Sequence, residues 1–325
     1  MNKSTKKTIA LLALSLLAGT TCGAASIWAP GVSRESGWVD VNKSWNGDSN
    51  MCWAAAASNV LQWWQTVYVS AGNDLPENAP HGYVAGRENE TTRQYQIFDY
   101  FIKNWSNAAG YVYEAIPWYM TGGTVDGFLN NSASNLVSGA DSAGFFKNVY
   151  PTSADMASKA SGSWTGDFSV YEYGNTSSMC GNFSDLGEFS SLLINSFSNA
   201  SVVSMSVALH NASTGARMTG HAITLWGCDY DDSGVVTAIH ITDSDDQGLQ
   251  LKTIRLTENE SNEIILDGYW GGAVTKVNRF ESLSVASIPN IKSVIPEPSV
   301  FGLFAGTFAL GFAVSRRRKR GKEKL

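Results

Sequence analysis

Apolar residues follow a helical period in the first part of this chain and a strand period in the second. From about Met51 to Val69 (MCWAAAASNVLQWWQTVYV) they crowd one helix. Ala54 to Ala57 are strong helix formers, and Val60, Leu61, Trp63 and Trp64 give it a face to bury. The polar run Asn46-Gly47-Asp48-Ser49-Asn50 leads into it, and Ser49 or Asn50 is placed to cap it. Arg87 to Asn104 predicts a second helix with Tyr95, Phe98, Phe101 and Ile102 on one side, and Asp185 to Phe197 a third. Ile27 to Trp45 reads as extended chain, and Asn73 to Glu90, with Pro76 and Pro80, as loop. Asn107 to Asn182 shows no clear period beyond a short amphipathic segment at Ala143 to Val149.

The strand signals come later. Ser201 to Leu209 predicts one strand. His221 to Cys228 (HAITLWGC) and Val235 to Thr242 (VVTAIHIT), joined by a turn at Asp229 to Gly234, predict an antiparallel hairpin. Ile264 to Phe280 predicts two more strands around the glycine-rich Gly268 to Gly272. Helices followed by strands indicate an α+β fold, with the first helix packed on an antiparallel sheet. Period-two alternation groups His221 with Ile223 and Leu225, and Asp243 with Ile239 and Ile241. It points His240 the other way. Matched inward faces bring His221 to Asp243.

Both ends read as targeting segments. Residues 1–25 carry a basic start (Lys3, Lys6, Lys7), an apolar stretch too short to span a bilayer, and small residues for signal peptidase. Residues 294–320 hold Pro296-Glu297-Pro298, an uncharged segment to Ser315 long enough for a short membrane helix at 299–315, and five consecutive basic residues. Between them lies one domain, 26–290, exported from the cytoplasm. The formal charge of −6 conceals a body of about −15, because ten of the 23 basic residues sit in the two ends. Nucleic acid, which needs a basic surface, is excluded as a partner. Once Cys22 leaves with the signal, Cys52, Cys180 and Cys228 remain. An odd count in an exported protein points to a free reactive thiol. Cys180 and Cys228 either form a bridge or are two further thiols.

Cys52 then carries the chemistry. A thiol on the first turn of a helix sits in the positive end of the helix dipole, which favours the thiolate. The order Cys52, His221, Asp243 supplies a nucleophile, an imidazole that takes and returns its proton, and an acid that orients the imidazole. Taken singly, each residue has a plainer reading. Cys52 and His221 would be core residues, and Asp243 a turn residue in the Thr242 to Asp246 run, which offers weak oxygen ligands for calcium. That chemistry requires no cofactor and no catalytic metal.

The segments WVDVNKSWNGDSNMCWAAAASNVLQWW and GHAITLWGCDYDDSGVVTAIHITDSDD resemble the two signature segments of the IdeS/Mac family. The likeness covers roughly residues 38 to 68 and 185 to 250. It includes a Lys before the Cys, an LWG strand after the His, and a TDSD turn. These are secreted cysteine endopeptidases with a papain-like fold, known for cutting immunoglobulin G in the hinge. The resemblance implies Cys52 as nucleophile, His221 as general base and acid, Asp243 as the orienting acid, Lys43 at the oxyanion and Asp245 as a second acid. It implies a protein substrate. The Lys-to-Cys segment is one residue shorter here, and Asn46 is the alternative oxyanion donor. Trp53 stands where the family usually has Gly. Two other readings share these residues: a transglutaminase-like acyltransferase, and a non-catalytic surface adhesin. The C-terminal order of tripeptide, apolar helix and basic tail resembles a PEP-CTERM sorting signal of Gram-negative bacteria. It implies cutting by an exosortase, release to the cell surface, and only transient membrane anchoring.

Overall fold

The computed structural model describes residues 25–122, 136–141, 143–150, 155–158, 163–165, 169–174, 185–246, 248–269 and 276–287. Strand β1 (Ala25–Trp28) comes first, then helices α1 (Cys52–Ser70), α2 (Gln96–Asn104) and α3 (Val112–Thr121). Three strands follow: β2 (Asp155–Ser158), β3 (Ser163–Thr165) and β4 (Ser169–Gly174). Helix α4 (Leu186–Ser198) precedes β5 (Val202–Asn211), β6 (Arg217–Tyr230), β7 (Val236–Thr242), β8 (Lys252–Glu258), β9 (Ile264–Asp267) and β10 (Lys276–Ser287).

The expected antiparallel sheet is present, and it closes on itself. β5 pairs with β6, β6 with β7, β7 with β8, β8 with β9, β9 with β10, and β10 with β5, every pair antiparallel. Closure leaves this ring without a free edge, which is how such sheets avoid edge-to-edge association. β1 joins β6 beyond the end of β5, and β4, β3 and β2 continue outward from the far half of β10. Helices beside a closed antiparallel barrel make the molecule α+β.

Helix α1 is buried on nearly every side: 14 of its 19 residues are buried. A helix with no polar face must be enclosed. One side lies on β5 and β6, the other under α2 and α3. The small side chains of Ala54 to Ala57, all buried, permit that close approach. Trp53, Trp64, Phe98, Phe101, Trp105, Trp118 and Phe146 form one aromatic core on the helical side.

Several expectations shift. The second helix occupies only Gln96–Asn104. Residues 84–94 form a turn and loop instead, closed by Gln94 O accepting from Val84 N at 2.7 Å and by Arg93 at φ +50°. The stretch that showed no period holds α3, a buried helix in which Pro117 interrupts the ladder and Gly122 (φ +70°) ends it. β8 is a further strand, its alternation KTIRLTE visible in its burial. Residues 145–149 form turns around buried Phe146. Among the described residues, no helix is long and apolar enough to cross a membrane. The expected signal segment and the 294–320 sorting segment fall outside the described residues, apart from Ala25, the first residue of β1. Cys228 is a buried free thiol, and Cys180 also lies outside them.

Candidate active site

Cys52 opens α1, with Met51 as the N-cap. No side chain caps this end, contrary to the expectation for Ser49 or Asn50. Both are instead tied to a loop from the helical layer. Asn107 Oδ1 accepts from Asn50 N at 2.7 Å, and its Nδ2 donates to Ser49 Oγ at 3.1 Å. The adjoining Trp53 indole donates to Ala108 O at 2.9 Å and packs closely on Gly110, where an added Cβ would lie 2.5 Å from the ring. The helix tip is thus fixed from outside, and its leading N–H groups are left for other partners.

Cys52 is half-buried and hydrogen-bonded to His221 on β6. Burial pushes its thiol up. The His221 hydrogen bond and charge, the Lys43 charge and a bond with the Ala222 backbone outweigh it and hold the thiol below its ordinary 9.0. His221 is buried, and Nε2 lies 2.6 Å from Asp243 Oδ1. With Nε2 so engaged, Nδ1 is the ring nitrogen left for the thiol. Burial alone would lower the imidazole pKa; Asp243 and Cys52 raise it to about 10.

Asp243 follows the last residue of β7. Its Oδ1 also accepts from Asp245 N at 3.0 Å, and its Oδ2 accepts from Tyr269 Oη at 2.9 Å. Burial raises this carboxyl, and the bonds from His221, Asp245 N and Tyr269 bring it down to about 2. Tyr269, in the turn after β9, had no role in the sequence pattern; an Asp-Gly-Tyr turn carries no chemical signature. His240 points away, as the alternation requires. It stacks on Trp28 at 4.3 Å and bonds Asp229 and Thr253.

Lys43 is 2% exposed. Its Nζ lies 2.6 Å from Asp245 Oδ1, donates to Ser49 O at 2.8 Å, and sits 4.4 Å from the centre of the exposed Trp45 ring. This is a buried ion pair beside the thiol, not a solvated lysine on a strand. Asp245 Oδ1 is also 3.8 Å from His221 Nε2. Asn46 lies on the exposed turn, its backbone N–H bonded to Ser44 Oγ. His221, Asp243 and Asp245 bring potential ligand atoms within 4.8 Å of one another. Lys43 already supplies positive charge to Asp245 there.

A buried polar bridge holds the two halves in register. Asn59, two turns along α1, donates to Thr224 Oγ1 on β6 at 3.0 Å and Thr242 Oγ1 on β7 at 3.2 Å, and accepts from Val41 N at 2.8 Å. Thr242 passes its own proton to Val39 O at 2.9 Å. The helix that carries Cys52, the strands that carry His221 and Asp243, and the segment that carries Lys43 therefore meet at one side chain. An asparagine within an apolar helix is the one trace of this bridge in the sequence.

Part of the chain is similar to known proteins. The Mac 1 family model matches residues 185–268, which hold His221, Asp243 and Asp245; Cys52 and Lys43 precede the match. The chain is 25% identical over 241 residues to the IgM protease of Streptococcus suis (strain P1/7). The alignment takes in 72% of this chain and 20% of that protein, so the chain spans about a fifth of the length of the relative it matches. The two similarities support the IdeS/Mac family.

Proposed function

We propose that this chain is a cysteine endopeptidase acting on protein substrates outside the cytoplasm. The observation that carries it is a half-buried thiol at a helix tip, hydrogen-bonded to a buried imidazole that Asp243 holds at 2.6 Å. The family match and the name of the relative support it.

Cys52 thiolate attacks the scissile carbonyl carbon, forming the C–S bond as the carbonyl electron pair moves to oxygen. The Cys52 backbone N–H and Lys43 meet that oxygen. The oxyanion then collapses, the C–N bond breaks, and His221 gives its proton to the leaving amine. Water attacks the thioester while His221 accepts its proton. The C–S bond breaks, the acid is released, and the Cys52 thiolate is restored beside the protonated His221. Asp243 holds the ring orientation throughout and stabilises the imidazolium. Asp245 fixes the Lys43 ammonium. Export by the N-terminal segment and surface release through the 294–320 segment, by signal peptidase and exosortase, complete the reading.

The test is cleavage of a peptide library by the purified protein, read by mass spectrometry. Cys52→Ala should remove every cleavage product. Cleavage by that variant within tenfold of the wild-type rate would overturn the proposal. Incorporation of an added amine in place of hydrolysis would assign the transferase reading instead.

A further inference from the structure

Asp40 and Asn42 are two apart on the extended stretch 39–43, so their side chains share a side opposite Val39 and Val41. Both are buried, at 1% and 0% exposure. Both are tied to the loop that follows Asp243: Gln250 N donates to Asp40 Oδ2 at 2.9 Å, and Asn42 Nδ2 donates to Gly248 O at 3.5 Å, while the Asp40 carboxyl also takes a bond from the Asn42 side chain. The other oxygen of each, Asp40 Oδ1 and Asn42 Oδ1, is buried without a donor. Asp246, on the same loop, gives Oδ1 to Lys252, while its Oδ2 is also buried without a donor. Its charge acts on Asp40. Gln94 donates to the Asp40 backbone carbonyl at 3.2 Å and leaves Oε1 in the same condition.

Buried polar atoms find partners in native proteins, so four orphaned acceptors around one loop call for something positive. Lys252 is committed to the far oxygen of Asp246, and Lys43 to Asp245. We propose that Asp40, Asn42 and Asp246, with the Gly248 carbonyl and Gln94 at the margin, form a calcium site. The donors are all oxygens, of carboxylate and amide type, without sulfur or imidazole. That set selects a hard divalent cation, and its mixture of carboxylate, amide and backbone oxygens suits calcium over magnesium. The ion would brace the turn that carries both candidate acids, because Asp246 N donates to Asp243 O at 3.1 Å.

The site does not depend on peptidase activity, and its test is made on the full chain carrying Cys52→Ala. Calcium should bind with Kd on the order of 10⁻⁴ to 10⁻³ M, the range of extracellular modules. It should raise the melting temperature by several degrees, reversed by EGTA, and should displace terbium followed by its luminescence. Magnesium at the same concentration should do neither. Asp40→Asn and Asp246→Asn should each weaken binding tenfold or more. Asn42→Asp adds a charged ligand and should tighten binding while lowering stability in EGTA, an outcome a purely structural asparagine would not give. Absence of any calcium effect at about 10 mM would overturn the proposal. So would binding that survives both aspartate substitutions, since that would place the ion elsewhere, as at His221, Asp243 and Asp245.

Discussion

Two of the three Lys43 N–H groups are committed, to Asp245 and to the Ser49 carbonyl, and the ammonium charge still reaches Cys52. Removing it should therefore act twice. Lys43→Ala should lower kcat by roughly 10²-fold, the scale of one lost oxyanion donor. It should also destabilise the fold by about 1–3 kcal/mol, because Asp245 loses its partner in a largely buried place. The double variant Lys43→Ala with Asp245→Ala should recover much of the stability and none of the rate, measured by urea unfolding and kinetics. A large rate loss in Asn46→Ala, with none in Lys43→Ala, would give the oxyanion to the exposed turn. The pH profile belongs to this scale too. The thiol must be ionised and the imidazole protonated. Cys52 is held below its ordinary value against the effect of burial, and His221 is lifted to about 10 against the same effect. kcat/KM should rise with pH on an acid limb below 9, set by the lowered Cys52 thiol, and fall as His221 deprotonates near pH 10. A profile that rises only above pH 9 would show an ordinary thiol.

At the scale of elements, the asparagine bridge is what α1 and the β6–β7 pair share. Asn59→Ala strips donors or acceptors from Thr224, Thr242 and Val41 N in a dry interior. It should reduce stability by about 3 kcal/mol, read by urea unfolding, and slow turnover as well, because the tip of α1 shifts against His221. Stability unchanged within 0.5 kcal/mol, on the order of a surface substitution, would show that packing alone aligns the helix. Strand identity was legible where alternation was strong. β6 and β7 lie where HAITLWGC and VVTAIHIT place them, and the register brings His221 to Asp243 while His240 turns to Trp28. What could not be read was what depends on distant partners. α3 is helical because it is pressed on α1, despite Pro117, and the start of the expected second helix is pulled into a loop by its contacts with the 82–84 turn.

On the scale of the whole molecule, closure of the barrel was invisible in the chain. It rests on a meeting of β9 and β10 at Arg279 and Ile265, a contact no local period announces. The proximity of Cys52, His221 and Asp243 was foreshadowed by their order in the chain, and that of Lys43 and Asp245 by the family resemblance. The burial of Lys43, the Tyr269 bond and the Asn59 bridge were not, since each depends on segments far apart in sequence. The proposed surface release would be a property of the ends. If the 294–320 segment is a sorting signal, mass spectrometry of the mature protein should find no peptides from Phe301 onward. An intact tail recovered with the inner membrane would mean a simple anchor.

The measurement that bears most directly on the proposed chemistry is the rate at which iodoacetamide alkylates Cys52 as a function of pH, followed by peptide mass spectrometry. Cys228, buried and with its thiol pushed up to about 12, is the internal comparison. Cys52 should react rapidly already at mildly acidic pH, Cys228 should remain unmodified, and His221→Ala should move the Cys52 profile upward toward an ordinary thiol. Alkylation of wild-type Cys52 that begins only near pH 9, or a profile unchanged by His221→Ala, would contradict the ion pair on which the proposed peptidase depends.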